Sequence, residues 1–220
     1  MKRGLVLEEI KEQLQEILGG ELPGADAHNA MLPTKRDPRI SIPTNQPIPT
    51  NSAVLVLFYP TPNGKLYFPL IQRPTYNGAH SAQVGLPGGK AEPSDKDLIE
   101  TALREANEEI GVQPDSIEIC GTMSNLHIWV SNYLVTPVIG VTTEKPDFVA
   151  DQKEVDEIIE ADLFDIVNPD KRKEGVITVR EKYKIHTPYF DIDNRVVWGA
   201  TAMMLNELSA IVRKLEIYQE

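Results

Sequence analysis

The sequence lacks the features that would hold a chain together, or anchor it, without a folded core. Its 220 residues include one cysteine, Cys120, which excludes an internal disulfide and fits a reducing compartment such as the cytoplasm. No stretch approaches the roughly 20 consecutive apolar residues that a membrane-spanning helix needs. Because 41% of the residues are apolar, the chain can bury a sizeable core, and we predict one globular domain with an appended arm.

Positive charge is also scarce. The chain has 22 lysines and arginines against 33 aspartates and glutamates, a net charge of -11. Nucleic acids and membrane surfaces attract basic proteins, so this balance predicts neither a nucleic-acid nor a membrane partner. It also raises the question of whether any of the carboxylates have a chemical role.

The apolar patterns indicate both helices and strands. Helical spacing covers residues 5–18, 95–110 and 199–215, and a proline-rich arm covers residues 33–49. The predicted strands and strand-containing segments are residues 53–59, 66–72, 117–123, 127–130, 132–141, 154–165, 176–185 and 189–197. This order predicts an α+β fold, an α/β/α sandwich with a mixed sheet between helices. We divide the chain into an N-terminal helix and arm, residues 1–50, and a main domain, residues 51–220.

The central predicted helix concentrates three glutamates in five positions, Glu105, Glu108 and Glu109. Glu105 and Glu109 are one turn apart, and Glu108 borders the same face. One arginine, Arg104, cannot neutralise three carboxylates, whereas a divalent cation can, and oxygen ligands suit Mg²⁺, Mn²⁺ or Ca²⁺ rather than Zn²⁺. The charges alone leave a solvated acidic helix face open as the alternative.

Two turn signals flank this helix. The Gly88–Gly89 turn before it allows backbone to approach a phosphate closely. Ser94 is the predicted N-cap and Gly111 the predicted C-cap. The layout therefore predicts a phosphate-seating turn followed by a metal-binding face.

The string from Gly88 to Val112 resembles the signature of Nudix hydrolases, G-x5-E-x7-R-E-U-x-E-E-x-G-U with U apolar. Positions 104–106, 108, 109, 111 and 112 fall in register with it. One departure is that the spacing from Gly89 to Arg104 is one residue longer, so the first glutamate position falls on Asp95 or Lys96. The resemblance implies a strand–loop–helix that holds Mg²⁺ or Mn²⁺ against a diphosphate.

Flanking elements resemble the coenzyme A pyrophosphatase branch of this superfamily. They are His80 to Lys90, Thr101 to Glu105 and Trp198 to Ala202, and the resemblance covers roughly residues 53–215. It implies hydrolysis of coenzyme A or acyl-CoA at the diphosphate, giving 3′,5′-ADP and 4′-phosphopantetheine. A Nudix pyrophosphatase acting on ADP-ribose, NADH or another nucleotide stays open, as does a non-catalytic nucleotide sensor.

The resemblance also implies roles for particular residues. Glu105, Glu108 and Glu109 are the expected metal ligands, with Arg104 orienting a glutamate. Glu154 and Glu157 are the candidates for a general base, and both are also consistent with surface charge. The expected substrate-binding residues are Arg73, His80, Gln83, Gly88, Gly89 and Lys90. The partner is a small nucleotide substrate, and the sequence leaves both a monomer and a homodimer open.

Overall fold

The structure of the protein is a computed structural model that describes residues 3–35, 47–75, 82–179 and 183–218. Its helices are α1 (Arg3–Leu18), α2 (Gly24–Asn29), α3 (Leu98–Ile110), α4 (Leu163–Val167) and α5 (Gly199–Val212). Its strands are β1 (Thr50–Pro60), β2 (Leu66–Gln72), β3 (Val84–Gly85), β4 (Gly88–Lys90), β5 (Glu118–Thr122), β6 (Leu126–Ile128), β7 (Tyr133–Val141), β8 (Glu157–Asp162), β9 (Arg172–Val179), β10 (Tyr183–Ile192) and β11 (Arg195–Val197).

A mixed sheet of eight strands forms the centre of the fold. Its main path is β3-β2-β1-β7-β5, while β4 pairs with β1, β6 with β7 and β8 with β2. The long β1–β7 pair is parallel, with Ala53 opposite Thr136 and Leu57 opposite Gly140. A separate antiparallel sheet has the order β11-β10-β9.

The central strand β1 is buried on both faces, which explains its continuous apolar run. Leu55 and Leu57 pack with α3 in one apolar cluster. Val56 and Phe58, which point the other way, belong to a second cluster that includes residues of α1 and α5. Helices therefore cover both faces of the mixed sheet, and the predicted α+β architecture is confirmed.

Helix α3 begins three residues later than predicted. Asp97, not Ser94, is its N-cap, and its side chain accepts a hydrogen bond from the Glu100 N–H at 2.8 Å. The residues before Asp97 are held in a loop because Asp95 binds Arg104 and Thr101. The predicted C-cap is confirmed, since Gly111 has φ 74° and donates to the Asn107 carbonyl.

The predicted strand 176–185 is wrong, because the structure divides that segment between β9 and β10. These two strands pair antiparallel, with Val179 opposite Tyr183 and Arg172 opposite Phe190. Weak alternation within both strands gave no signal for where one strand ends and the other begins. Helix α2 was not predicted at all, because six residues are too few to show helical periodicity.

The N-terminal helix α1 belongs to the same core as the main sheet. Leu7, Ile10 and Leu14 of α1 lie in the cluster that contains Phe58 and Leu208. None of the helices in the described ranges is long and apolar enough to cross a membrane.

Candidate functional site

The site is built around the short strand β4 and its two glycines. Gly88 has φ +148°, and a Cβ there would lie 2.3 Å from the Ala53 carbonyl oxygen and 2.5 Å from the Val54 Cα. Only glycine allows this approach, which lets β4 pair with β1. The pairing fixes the Gly88–Gly89 backbone directly beside helix α3.

Glu109 is the most buried acidic residue of α3, with 1% of its surface exposed. Its carboxylate accepts a hydrogen bond from the Gly88 N–H at 2.7 Å and lies 3.2 Å from Nη2 of Arg73. Burial raises the pKa of Glu109 to about 7, although Arg73 and the Gly88 N–H act in the opposite direction. The carboxylate is therefore held at one place by two donors, in surroundings that disfavour an uncompensated negative charge.

Glu105 lies one turn away and rests against Gly89. A Cβ on Gly89 would lie 2.4 Å from Oε2 of Glu105, so the carboxylate occupies the space that a side chain would need. Burial raises the pKa of Glu105 above its ordinary value, Arg104 lowers it, and the nearby charges of Glu108 and Glu154 raise it. The carboxylates around this turn thus interact unfavourably with one another.

Arg104 connects the loop before α3 to the carboxylates. It forms a two-point ion pair with Asp95 at 2.9 and 3.1 Å, and it donates to Glu105 at 2.9 Å and to Glu108 at 3.1 Å. It also donates to the Lys90 carbonyl at 3.0 Å. The ion pair with Arg104 holds the pKa of Asp95 well below its usual range. Asp95 is thus the acidic residue that anchors the longer loop.

Glu105 and Glu109 open into a cavity of about 360 Å³. Glu154 lines the same cavity, and its charge raises the pKa of both Glu105 and Glu109. Glu108 does not line the cavity and its side chain is 59% exposed. The structure therefore brings two of the three predicted helix glutamates together with one predicted general base.

Glu157, the other predicted base, lies on β8 outside the cavity lining. Its carboxylate is 2.5 Å from Nη2 of Arg195, and in β8 it is opposite Gln72. The two candidates, only three residues apart in sequence, are therefore separated by the turn into β8.

Most of the predicted substrate-binding residues line the cavity. Arg73, Gln83, Gly88, Gly89 and Lys90 do so, and His80 lies outside the described residues. Arg73 also donates to the Gly88 carbonyl at 3.0 Å, so it supports the turn and Glu109 as well as facing the cavity. Sequence reasoning had no signal for this second contact.

The cavity has an apolar wall that the sequence did not reveal. It is formed by Val54, Val84, Leu86, Ile128, Tyr133, Val135, Ala200 and Met204. These residues come from six separate elements and loops, so no local pattern joins them. Thr201, in the segment 198–202, also lines the cavity, and its hydroxyl donates to the Val84 carbonyl at 3.0 Å.

The donor set fits a hard divalent cation in its chemistry. The carboxylates of the cavity offer only oxygen ligands. Glu154 raises the pKa of both Glu105 and Glu109, and Glu105 also raises the pKa of Glu109, a repulsion that a cation relieves. Within the part of the chain that the structure describes, no three histidine, cysteine or acidic side chains already converge as a complete metal-ligand group. Glu105 and Glu109 could each supply an oxygen ligand to such a cation.

Comparisons with known proteins find similarity over much of the chain. A model of the NUDIX domain matches residues 49–185. The mitochondrial Nudix hydrolase 15 of Arabidopsis thaliana is 32% identical over 206 residues, covering 90% of this chain and 68% of the relative. An uncharacterised Nudix hydrolase of Pectobacterium atrosepticum, NudL, is 32% identical over 161 residues, covering 72% of this chain and 80% of the relative.

One solved structure supports the fold. The crystal structure of RenU, a Nudix hydrolase from M. smegmatis, aligns with a TM-score of 0.54 at 17% identity, covering 76% of this chain and 87% of that one. At this level of identity the likeness concerns the arrangement of the sheet and helices.

Proposed function

This chain belongs to the Nudix family and is a hydrolase of the Nudix type, and we propose that its substrate is coenzyme A or an acyl-CoA. The family acts on nucleoside diphosphate substrates and generally uses divalent metal ions. In the proposed reaction, water attacks one phosphorus of the diphosphate and the bridging phosphorus–oxygen bond breaks. The products are 3′,5′-ADP and 4′-phosphopantetheine.

One observation supports this proposal more than any other. Gln83 and Thr201 belong to two elements that resemble the coenzyme A pyrophosphatase branch, and they line the same cavity as Glu105 and Glu109. The apolar wall beside the carboxylates suits a substrate whose uncharged part adjoins its diphosphate. Arg73 and Lys90 supply positive charge to the same cavity.

Each residue of the site has its own role in the proposed mechanism. Glu105 and Glu109, with Glu108 as a third predicted ligand, would hold Mg²⁺ or Mn²⁺, which supplies charge neutralisation at the diphosphate. Arg104 keeps Glu105 oriented by a charge-assisted hydrogen bond. Glu154, which lines the cavity, is our choice over Glu157 for the base that accepts the proton of the attacking water.

Side-by-side turnover tests the choice of substrate. We would incubate the protein with coenzyme A, ADP-ribose and NADH, each with Mg²⁺ and with Mn²⁺, and identify the products by mass. We expect cleavage of coenzyme A into the two products named above. Cleavage of ADP-ribose or NADH without cleavage of coenzyme A would overturn the substrate assignment and leave the Nudix activity intact.

The alternative of a non-catalytic sensor predicts nucleotide binding without turnover of any of the three substrates. The intact set of glutamates on α3 disfavours it, because a sensor has less need of a full metal-binding face.

A cytoplasmic location and a homodimer also stay predictions, and one relative is named as mitochondrial. The division into residues 1–50 and 51–220 also stays a prediction.

A further inference from the structure

A second and larger cavity, of about 560 Å³, lies on the other side of helix α5. Asn206, Ser209 and Ala210 of α5 and its C-cap Arg213 line it, and the candidate active site uses residues 200, 201 and 204 of the same helix. At about 100° per residue, these two sets point to opposite faces of α5. The two cavities share no lining residue.

The two arginines of this second cavity differ from the other described arginines in lacking a carboxylate partner. Among the arginine side chains that the structure describes, Arg73, Arg104 and Arg195 each pair with at least one carboxylate. The remaining two, Arg172 and Arg213, have no carboxylate partner within the described residues, and both line this cavity. Both exposed side chains therefore add positive charge to the wall of one cavity, with no ion pair in the described residues to cancel it.

Both guanidinium groups are nevertheless held in place. Nη2 of Arg172 donates to the Ala30 carbonyl at 3.0 Å, and Nη2 of Arg213 donates to the Val167 carbonyl. A carbonyl oxygen is a neutral acceptor, so each bond orients the guanidinium but leaves its charge available. Each group retains further N–H donors for a ligand.

The other charged residues of the lining leave a positive excess. Lys173 adds a third cation, although its Nζ lies 2.5 Å from Asp191. Glu174 is the one carboxylate of the lining; it accepts from Thr34 and lies 3.1 Å from Nδ1 of His186. Asn168, Asn206 and Ser209 add polar groups to the wall.

We propose that this cavity is a binding site for a phosphate-bearing small molecule, separate from the site at which the diphosphate is cleaved. Guanidinium groups match phosphate geometry with parallel hydrogen bonds, and the side chains of two arginines line this cavity. The volume falls within the range of about 300–1,000 Å³ typical of small-molecule sites. The proposal does not depend on which substrate the Nudix site hydrolyses.

Calorimetric titration with pyrophosphate, in EDTA and without divalent cations, tests the proposal. We expect one pyrophosphate to bind per chain, with an affinity that falls as NaCl is added. The double variant Arg172→Gln/Arg213→Gln should bind at least about tenfold more weakly. Lys65→Gln/Lys145→Gln is the matched control, because it removes two cations that lie elsewhere and pair with carboxylates.

Two further variants separate this cavity from the candidate active site. Glu174→Gln removes the single carboxylate of the lining and should tighten binding of pyrophosphate, a result that does not rely on the double variant folding. Arg73→Gln removes a cation of the other cavity and should leave the affinity unchanged. Absence of binding at millimolar pyrophosphate, unchanged or weaker binding by Glu174→Gln, or loss of binding in Arg73→Gln would each overturn the proposal.

Discussion

Three glutamates of one sequence motif occupy three different environments. Glu109 is buried and bound by the Gly88 N–H and Arg73, Glu105 rests against Gly89 beside Arg104, and Glu108 points largely into solvent. The spacing of the motif places them on neighbouring positions of a helix, but the surrounding strands decide which of them faces the cavity. Chemical importance should follow this order.

Replacement of Glu109 by glutamine should abolish most turnover without unfolding the protein. The substitution keeps the shape but removes the charge at the most buried carboxylate of the cavity, so we expect kcat for coenzyme A to fall about 100-fold or more. Steady-state kinetics with product detection by mass measure this. Glu100→Gln, on the same helix but outside the cavity lining, is the matched control, and an unchanged rate for Glu109→Gln would remove its predicted role as a metal ligand.

At the scale of the element, two adjacent glycines of β4 are required for different structural reasons. Gly88 is required by the backbone of β1, whose atoms would lie less than 3 Å from an added Cβ. Gly89 is required by the end of a side chain, the carboxylate of Glu105. A strand of three residues therefore carries both a folding constraint and a functional one.

Alanine at each glycine should separate these constraints. Gly88→Ala forces a backbone shift, and we expect it to lower the free energy of unfolding by about 2–3 kcal/mol. Gly89→Ala displaces a flexible side chain, and we expect a loss below about 1 kcal/mol but a marked fall in kcat. Urea unfolding and turnover measured on both variants test the contrast, and equal destabilisation by the two would contradict it.

At the scale of the whole molecule, one buried carboxylate ties distant parts of the chain together. Glu207 of α5 is fully buried and accepts hydrogen bonds from the N–H groups of Gly24 at 3.1 Å and Ser124 at 3.3 Å. It also lies 2.8 Å from Nε2 of His28, which is buried as well. Helix α2 and the loop before β6 are thereby fastened to α5.

The Glu207→Gln variant should be less stable, and the difference should depend on pH. Burial raises the pKa of Glu207, but the hydrogen bonds from His28 and Ser124 outweigh it, so the pKa is lower than usual. The stabilisation is therefore complete above about pH 4.3, the ordinary glutamate value, and is lost as the pH falls through the lower folded value. We expect a loss of roughly 1–3 kcal/mol at pH 7.

Urea unfolding at pH 7 and at pH 3 measures this effect. The difference in free energy of unfolding between the two proteins should shrink at the lower pH. Glu12→Gln, which alters an exposed glutamate of α1, is the control and should change stability little at either pH. A difference that grows towards low pH would show that the carboxylate form is not the stabilising one.

The overall charge of -11 bears on metal binding. A polyanionic substrate is repelled by the chain as a whole, and a divalent cation at the proposed Glu105–Glu109 site would offset the negative charge of the two carboxylates. Mg²⁺ or Mn²⁺ at about 100 times its dissociation constant should therefore raise the melting temperature by roughly 5–10 °C. EDTA should reverse the rise.

The control for this measurement is the double variant Glu105→Gln/Glu109→Gln. Its melting temperature should respond to the divalent cation no more than to NaCl at equal ionic strength. A rise equal to that of the parent protein would move the metal site elsewhere.

Much of the fold follows from local sequence. The apolar run of β1, the amphipathic pattern of α3 and the glycine at position 111 each point to one structure, because periodicity and backbone freedom act over a few residues. The reversal between β9 and β10, the N-cap at Asp97 and the short helix α2 were not predictable in this way. Their positions depend on hydrogen bonds and packing partners that are distant in sequence, or on too few residues to show a period.

The features of the candidate site also fall into those that follow from local sequence and those that depend on the tertiary structure. The sequence by itself determined the family resemblance and the chemistry of the site, because the glutamates, Arg104 and the glycine turn lie within one short segment. Only the tertiary structure decided that Glu154 and not Glu157 lines the cavity, that Arg73 supports Glu109, and that α5 separates two cavities. The residues involved come from different strands and helices. They are distant in sequence, and only folding brings them close enough to form hydrogen bonds or to interact electrostatically.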